Sequence, residues 1–317
     1  MESRAIVFDN PQHLSLQTLM LDEPAEGQLE IEVEYSGIST GTERLLWDGS
    51  MPAFPGMGYP LVPGYETVGR VTRTEGASKI KPGQRVFVPG ANCLKGVRSL
   101  FGGAASKLVV PQDRVVPLND DVGKEAVLLA LAATAYHAVA GGGLRNPIIA
   151  PDLIVGHGVM GRLLARMTVA GGEPAPTVWE TNPARCAGAQ GYEVMHPDDD
   201  PRKDYRAIYD VSGDATLLDA LIKRLRPGGE VVLAGFYKQD LTFAYAPAFM
   251  REAQIRTAAE WKQADLLAVT ELVHTGRLCL DGLITHEESP SKALNAYQAA
   301  FGDALCLKMI LDWSTLG

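Results

Sequence analysis

Apolar and polar positions alternate in EIEVEYS, inside the stretch 29–38. Short apolar runs recur at 5–8, 66–74, 84–90 and 105–111. Period-two patterning interrupted by turn signals such as KPGQ and PGYE predicts a small, irregular all-β unit in the first part of the chain. From 152 the texture changes. DLIVGHG (152–158), TVWE (177–180), YEVMHP (192–197), AIYDVSG (207–213) and EVVLAGF (230–236) read as apolar strands. Between them, MGRLLARMTVAGG places Leu163, Leu164 and Met167 on one helical side. NPARCAGAQG predicts a helix with Pro183 near its start, and DATLLDALIKRLRPGG a helix closed by Gly228. Such strand–helix alternation implies a parallel sheet covered by helices. The last part is mixed, with helices expected around 266–274 and 292–302 and a terminal strand at 306–312.

The expected fold class is therefore α/β, a β-rich unit joined to a doubly wound parallel sheet. The β-rich unit is expected over 1–125 and 258–317, with the strand–helix unit of 126–257 inserted into it. One segment, 126–143 (AVLLALAATAYHAVAGGG), is apolar over nearly the length of a membrane span. Its Ala and Gly content, with Tyr136 and His137, predicts a buried helix rather than an integral span.

Composition sharpens this picture only in places. The 317 residues are 46% hydrophobic, enough for a full core without staples. A net charge of −9 with dispersed Lys and Arg excludes a phosphate-tracking surface, so no nucleic-acid partner is expected. Cys93, Cys186, Cys279 and Cys306 stand far apart, which is neither a disulfide framework nor a zinc-finger spacing. The N-terminus lacks the pattern of a signal peptide, and a cytoplasmic location is expected.

The chemistry begins at GHGVMG, which directly follows Leu153-Ile154-Val155 and directly precedes a helix. In that context Gly156 makes a tight turn and Gly158 lets backbone approach a pyrophosphate. Gly161 lets the helix lie close on its strand, and the helix start offers free N–H donors. Glu180, at the end of the second strand, can accept the two ribose hydroxyls of NAD and repel the 2′-phosphate of NADP. NAD is the expected cofactor, and Arg185 nearby weakens the preference slightly. Val159, Met160, Arg185 and Thr134 complete the candidate cofactor set. His157, inside the turn, is either a ligand contact or a solvent-facing filler. His137 reads as a satisfied core histidine.

The order of a β-rich unit, TAYHA, VGHGVMG, ETNPARCAGAQG, DVSG, LRPGGEVVLAGF and GLITHEESPSKALNAYQ resembles the medium-chain dehydrogenase/reductase superfamily over essentially the whole chain. That resemblance implies a GroES-like catalytic domain built from the two ends of the chain, around a Rossmann domain. It also makes a homodimer through the Rossmann sheet edge plausible. Zinc-dependent members carry Cys and His where this chain has Ser39 and Tyr65, and a further Cys or carboxylate near the position of Ala130. A serine, a phenol and an alanine cannot form the N/S-rich tetrahedral shell, so no metal is expected. Without zinc, an alcohol's proton must pass to a side chain or water. The candidates are Tyr65 or the Ser39 and Thr42 hydroxyls, with Glu66 as auxiliary acceptor; a structural role for Glu66 and a space-filling one for Tyr65 are the competing readings. Glu43 falls in the same region.

Trp47, Met51, Phe54, Met57 and Tyr59 form an apolar, adaptable loop that suits a flat, greasy ligand, or packs a core or dimer face. ISTGTE, LLWDGSMPAFPGMGYPLVPGYE, RVFVPGANC and LFGGAASKLVVP further resemble a bacteriochlorophyll-biosynthetic subgroup of the superfamily. That implies a hydrophobic tetrapyrrole substrate whose secondary alcohol is oxidised with NAD, with Lys95 or Arg98 facing the ring propionate. A zinc-free quinone or enoyl reductase, and a nucleotide-sensing protein without catalysis, remain alternatives.

Overall fold

The computed structural model describes residues 1–53, 55–99, 101–140 and 148–316. Phe54 and the end of the apolar segment 126–143 lie outside the described residues. The chain divides into two compact units, Met1–Ala130 with Asp281–Gly317, and Leu131–Leu280.

In the first unit β1 (Glu2–Asn10) and β2 (His13–Met20) form an antiparallel pair. β3 (Gln28–Ile38) is followed by the short helix α1 (Thr42–Asp48), then β4 (Thr67–Thr74), β5 (Arg85–Val88), β6 (Lys107–Pro111) and β7 (Val116–Pro117). The alternation read in EIEVEYS is realised in β3, where Ile31 and Val33 are buried and Glu32 is exposed. β3 is also the hub of the sheet, pairing antiparallel with both β4 and β6.

α2 (Leu129–Ala140) leads into the second unit. There β8 (Leu153–Val155), α3 (Val159–Ala170), β9 (Thr177–Trp179), β10 (Glu193–Met195) and β11 (Tyr205–Asp210) follow in turn. After them come α4 (Leu218–Arg224), β12 (Leu225–Leu233), α5 (Tyr245–Met250), β13 (Gln254–Thr257) and α6 (Gln263–His274). The six strands are all parallel, in the order β10-β9-β8-β11-β12-β13. The order reverses between β8 and β11, and a ligand site in an open α/β sheet forms beyond the strand ends at such a switch point. Gly156 is the residue that follows β8.

The chain then returns to the first unit with β14 (His286–Glu288), α7 (Ala293–Gly302) and β15 (Met309–Asp312). β15 pairs antiparallel with the end of β3, so Met309 lies opposite Ile38. The architecture is the expected α/β class with a GroES-like unit and a Rossmann sheet.

Three sequence expectations differ from what is seen. The return begins at Asp281 rather than 258. α6 stays with the second unit because the imidazole of His137 on α2 bonds the Asp265 carboxylate at 2.7 Å, both groups being buried. NPARCAGAQG forms only a single 3-10 turn, Pro183–Arg185, capped by the Asn182 side chain. Gly188 and Gly191 adopt positive φ, and the Arg185 and Ala187 carbonyls accept from side chains instead of from a following helical turn. The helix expected to run to Gly228 stops at Arg224, because Leu225 turns extended and opens β12.

No helix among the described residues is long and apolar enough to cross a membrane.

Candidate active site

Two clusters of functional side chains form, one in each unit. In the second, α3 begins immediately after the glycine turn, leaving its first N–H groups without intrahelical partners. Val159 and Met160 occupy that first turn. A Cβ on Gly161 would overlap the Gly156 carbonyl oxygen, so only glycine lets the helix sit this close to the strand. A Cβ on Gly158, by contrast, would meet no atom within 4 Å. The space in front of the helix start is therefore open. The Glu180 carboxylate follows β9 and accepts from the His157 backbone N–H at 3.1 Å and the Asn182 backbone N–H at 2.8 Å. An ionised carboxylate offers about four lone-pair sites, so two remain for a ribose diol. Arg185 lies in the 3-10 turn beyond it, and Thr134 is half-buried in α2.

His157 is no solvent-facing filler. It is fully buried, with Nδ1 2.7 Å from the Arg185 carbonyl oxygen and Nε2 2.8 Å from the Tyr192 hydroxyl. Burial pushes its pKa down to about 4, so the ring is neutral near pH 7.

In the first unit, the Tyr65 hydroxyl donates to Ser39 Oγ at 2.6 Å and lies 3.5 Å from Thr42 Oγ1. Phe101 packs edge-on against the Tyr65 ring, with centroids 5.0 Å apart. Burial and the neighbouring Glu66 raise the pKa of Tyr65, so its phenol stays protonated. Glu66 and Lys308 form an ion pair in which neither residue is more than 1% exposed. Gly37 on β3 is required beside it, since a Cβ there would collide with the Glu66 carboxylate. Glu66, expected as an auxiliary acceptor, is thus engaged by the return segment.

Glu43, in the first turn of α1, is also fully buried. Its Oε2 accepts from the Tyr297 hydroxyl at 2.8 Å, while Oε1 has no hydrogen-bond partner. Burial first, and then the charge of Glu66, push its pKa from 4.5 up to about 8. Between those values the unfolded carboxyl has lost its proton while the folded one keeps it, so stability falls as pH rises from about 4.5 to about 8. Glu43→Gln is expected to abolish that part of the pH dependence, raising the urea midpoint relative to wild type more at pH 8 than at pH 5. Equal shifts at both pH values would show that Glu43 ionises normally.

Among the described residues, no group of three or more His, Cys, Asp and Glu side chains could hold a metal ion. Of the apolar loop, Trp47 packs between Phe8 and Tyr297, with centroids 5.6 and 6.3 Å away. Met51, Met57 and Tyr59 are partly buried against the same core. Lys95 pairs with Asp22 at 3.2 Å, and the exposed Arg98 lies along Gly58.

Lys308, Tyr297 and Arg162 were not singled out in the sequence. The available signals were a lone lysine entering the apolar run MILDW, a tyrosine on the apolar face of α7, and an arginine among the small and apolar residues of α3.

A GroES-like β unit carrying a hydroxyl cluster, and a parallel sheet carrying GHGVMG, define an oxidoreductase of the medium-chain dehydrogenase/reductase class. The alcohol dehydrogenase GroES-like domain family matches residues 25–120. The 2R,3R-butanediol dehydrogenase from Bacillus subtilis superposes with a TM-score of 0.84, covering 98% of this chain and 99% of that one, at 19% identity. The 2-desacetyl-2-hydroxyethyl bacteriochlorophyllide A dehydrogenase of Rhodobacter capsulatus is 54% identical, with 99% of each chain covered. The protein of the same name from Cereibacter sphaeroides is 52% identical, again over 99% of each chain. The chain belongs to the medium-chain dehydrogenase/reductase superfamily and, within it, to the family of these two bacteriochlorophyllide dehydrogenases.

Proposed function

We propose that this chain oxidises the secondary alcohol of the hydroxyethyl side chain of a bacteriochlorophyllide to an acetyl group, with NAD as acceptor and without zinc. The observation that carries the reaction is the identity of 54% and 52% to the two dehydrogenases across their whole length. NAD rests on the open space at Gly158 and on the Glu180 carboxylate, which fits a ribose diol and repels a 2′-phosphate. When bound, the nicotinamide supplies the hydride acceptor.

Zinc independence rests on what fills the ligand positions. Ser39 and Tyr65 are hydrogen-bonded to each other, and the ammonium of Lys308 already neutralises Glu66. A divalent cation there would face an alkyl ammonium and have no thiolate or imidazole. These residues do not fit a catalytic zinc.

In its place the protonated Tyr65 hydroxyl hydrogen-bonds the substrate oxygen. As the alcohol carbon gives up its hydride, its O–H proton passes to Tyr65 Oη, which hands its own proton to Thr42 Oγ1 while Ser39 Oγ holds the phenol in place. Thr42, the partly exposed member of the cluster, passes its own hydroxyl proton on to water. Arg98 is the cation assigned to the ring propionate.

The test is purified protein, NAD and hydroxyethyl bacteriochlorophyllide, followed by the absorbance shift as the new acetyl group conjugates with the macrocycle. Turnover is expected to persist after exhaustive chelation. Tyr65→Phe is expected to lower kcat roughly 100-fold, the scale of a lost proton-transfer group. Turnover of Tyr65→Phe near wild type would remove Tyr65 from proton transfer. Activity restored only by added zinc would overturn the metal-free reading.

A further inference from the structure

The loop after β9 is held by side chains from the other side of the glycine turn. Arg162, on α3 and 4% exposed, spends its guanidinium on three main-chain carbonyls. Nε donates to His157 at 3.0 Å, and Nη2 donates to Arg185 at 2.9 Å and to Ala187 at 2.8 Å. The Arg185 carbonyl receives a second donor. Because a carbonyl can only accept, His157 Nδ1 carries the proton and Nε2 accepts from Tyr192. Both sides of the imidazole are therefore satisfied in one neutral tautomer. The His157 backbone N–H meanwhile holds one oxygen of Glu180, and Asn182 N–H holds the other. Turn, carboxylate and loop form one hydrogen-bonded body.

A carboxylate rejects a 2′-phosphate only as far as it cannot swing aside, and only where no cation is free to compensate. Here Glu180 is fastened at both oxygens. The guanidinium and imidazole nearest the turn, which could otherwise bind a phosphate, are turned to backbone carbonyls.

We propose that His157 and Arg162 are positioning residues that lock Glu180 and the 182–187 loop in the shape that accepts an unphosphorylated adenosine ribose and excludes a 2′-phosphate. The proposal rests on the reading of Glu180 as the ribose carboxylate and names what enforces its selectivity.

The experiment measures binding of NADH and NADPH to the full-length protein by calorimetry, and reads the ratio of the two affinities. A role confined to stability would weaken both ligands together; the clamp moves the ratio. His157→Phe and Arg162→Met are expected to narrow the preference for NADH at least tenfold, and Tyr192→Phe about threefold. Should the two buried variants fail to fold, Gly188→Ala provides a route from the exposed side of the loop. A Cβ there would come within 2.5 Å of Arg162 Nη1, and the positive φ of Gly188 disfavours alanine, so guanidinium and loop must shift together and the ratio is again expected to narrow. A ratio unchanged in the folded variants, alongside a preference abolished by Glu180→Gln, would overturn the clamp alone. Wild-type preference for NADPH, or indifference of the ratio to Glu180→Gln, would overturn the reading of Glu180 itself.

Discussion

Lys308→Met is expected to destabilise the protein by about 3–5 kcal/mol, the cost of leaving one member of a buried ion pair uncompensated. Glu66 is fully buried and its Oε1 has no hydrogen-bond partner, so the Lys308 ammonium is the charge that favours its ionised form inside the sheet. Burial alone already drives its pKa upward, and Lys308 opposes that shift. In the variant nothing opposes burial, so the pKa of Glu66 would rise further and stability would fall more steeply than in wild type as pH rises above the normal carboxylate range, where the unfolded state ionises first. Urea denaturation at two pH values reads both effects. The double variant Lys308→Met with Glu66→Gln is expected to recover most of the loss, since two neutral groups of similar volume replace two charges. A single variant within about 0.5 kcal/mol of wild type would mean that the pair contributes nothing to the fold.

Gly158→Val and Gly161→Ala are expected to fail in opposite ways, although the two glycines belong to one motif. At Gly158 the backbone is extended and a Cβ meets open space, so the valine variant should keep the wild-type unfolding midpoint. Its side chain would fill the volume into which a pyrophosphate must come. Losing two charge-assisted N–H contacts at about 1.5–3 kcal/mol each weakens NAD binding by roughly 10²–10⁴. At Gly161 the added methyl would run into the Gly156 carbonyl oxygen, backbone against backbone. There the cost appears first as stability, about 1–3 kcal/mol or more, because helix and strand must separate. Calorimetric binding together with thermal unfolding separates the two variants. A Gly158→Val protein that binds NAD normally would remove the pyrophosphate from that position.

Legibility in the sequence followed the range of the interactions. The turn and its glycines were readable because the strand, turn and helix that define them are contiguous; Gly156 has a positive φ and Gly161 touches the strand, while Gly158 and Glu180 were read from their spacing. The helix expected at NPARCAGAQG was misread for the converse reason. Its helical tendency is overridden by Arg162 and His157, which take the carbonyls that a helix would have used. The helix expected through Gly228 ran on into residues that pair with a neighbouring strand, an outcome set by the sheet. His157 read as an x position between glycines, and only its burial among Arg185, Tyr192 and Glu180 gives it a task.

By itself the sequence determined the α/β class, the medium-chain dehydrogenase resemblance and the dinucleotide motif. These are matters of residue type and short spacing, which periodicity and sterics constrain directly. The tertiary structure alone decided the partners of the buried charges. Glu43 and Tyr297 meet across a separation of 254 residues, and Glu66 meets Lys308 through the pairing of β15 with β3. The Arg185 and Ala187 carbonyls likewise find Arg162 only when the loop folds back on α3. A buried charge must be matched wherever the fold brings a partner, and chain spacing carries no record of which partner that will be.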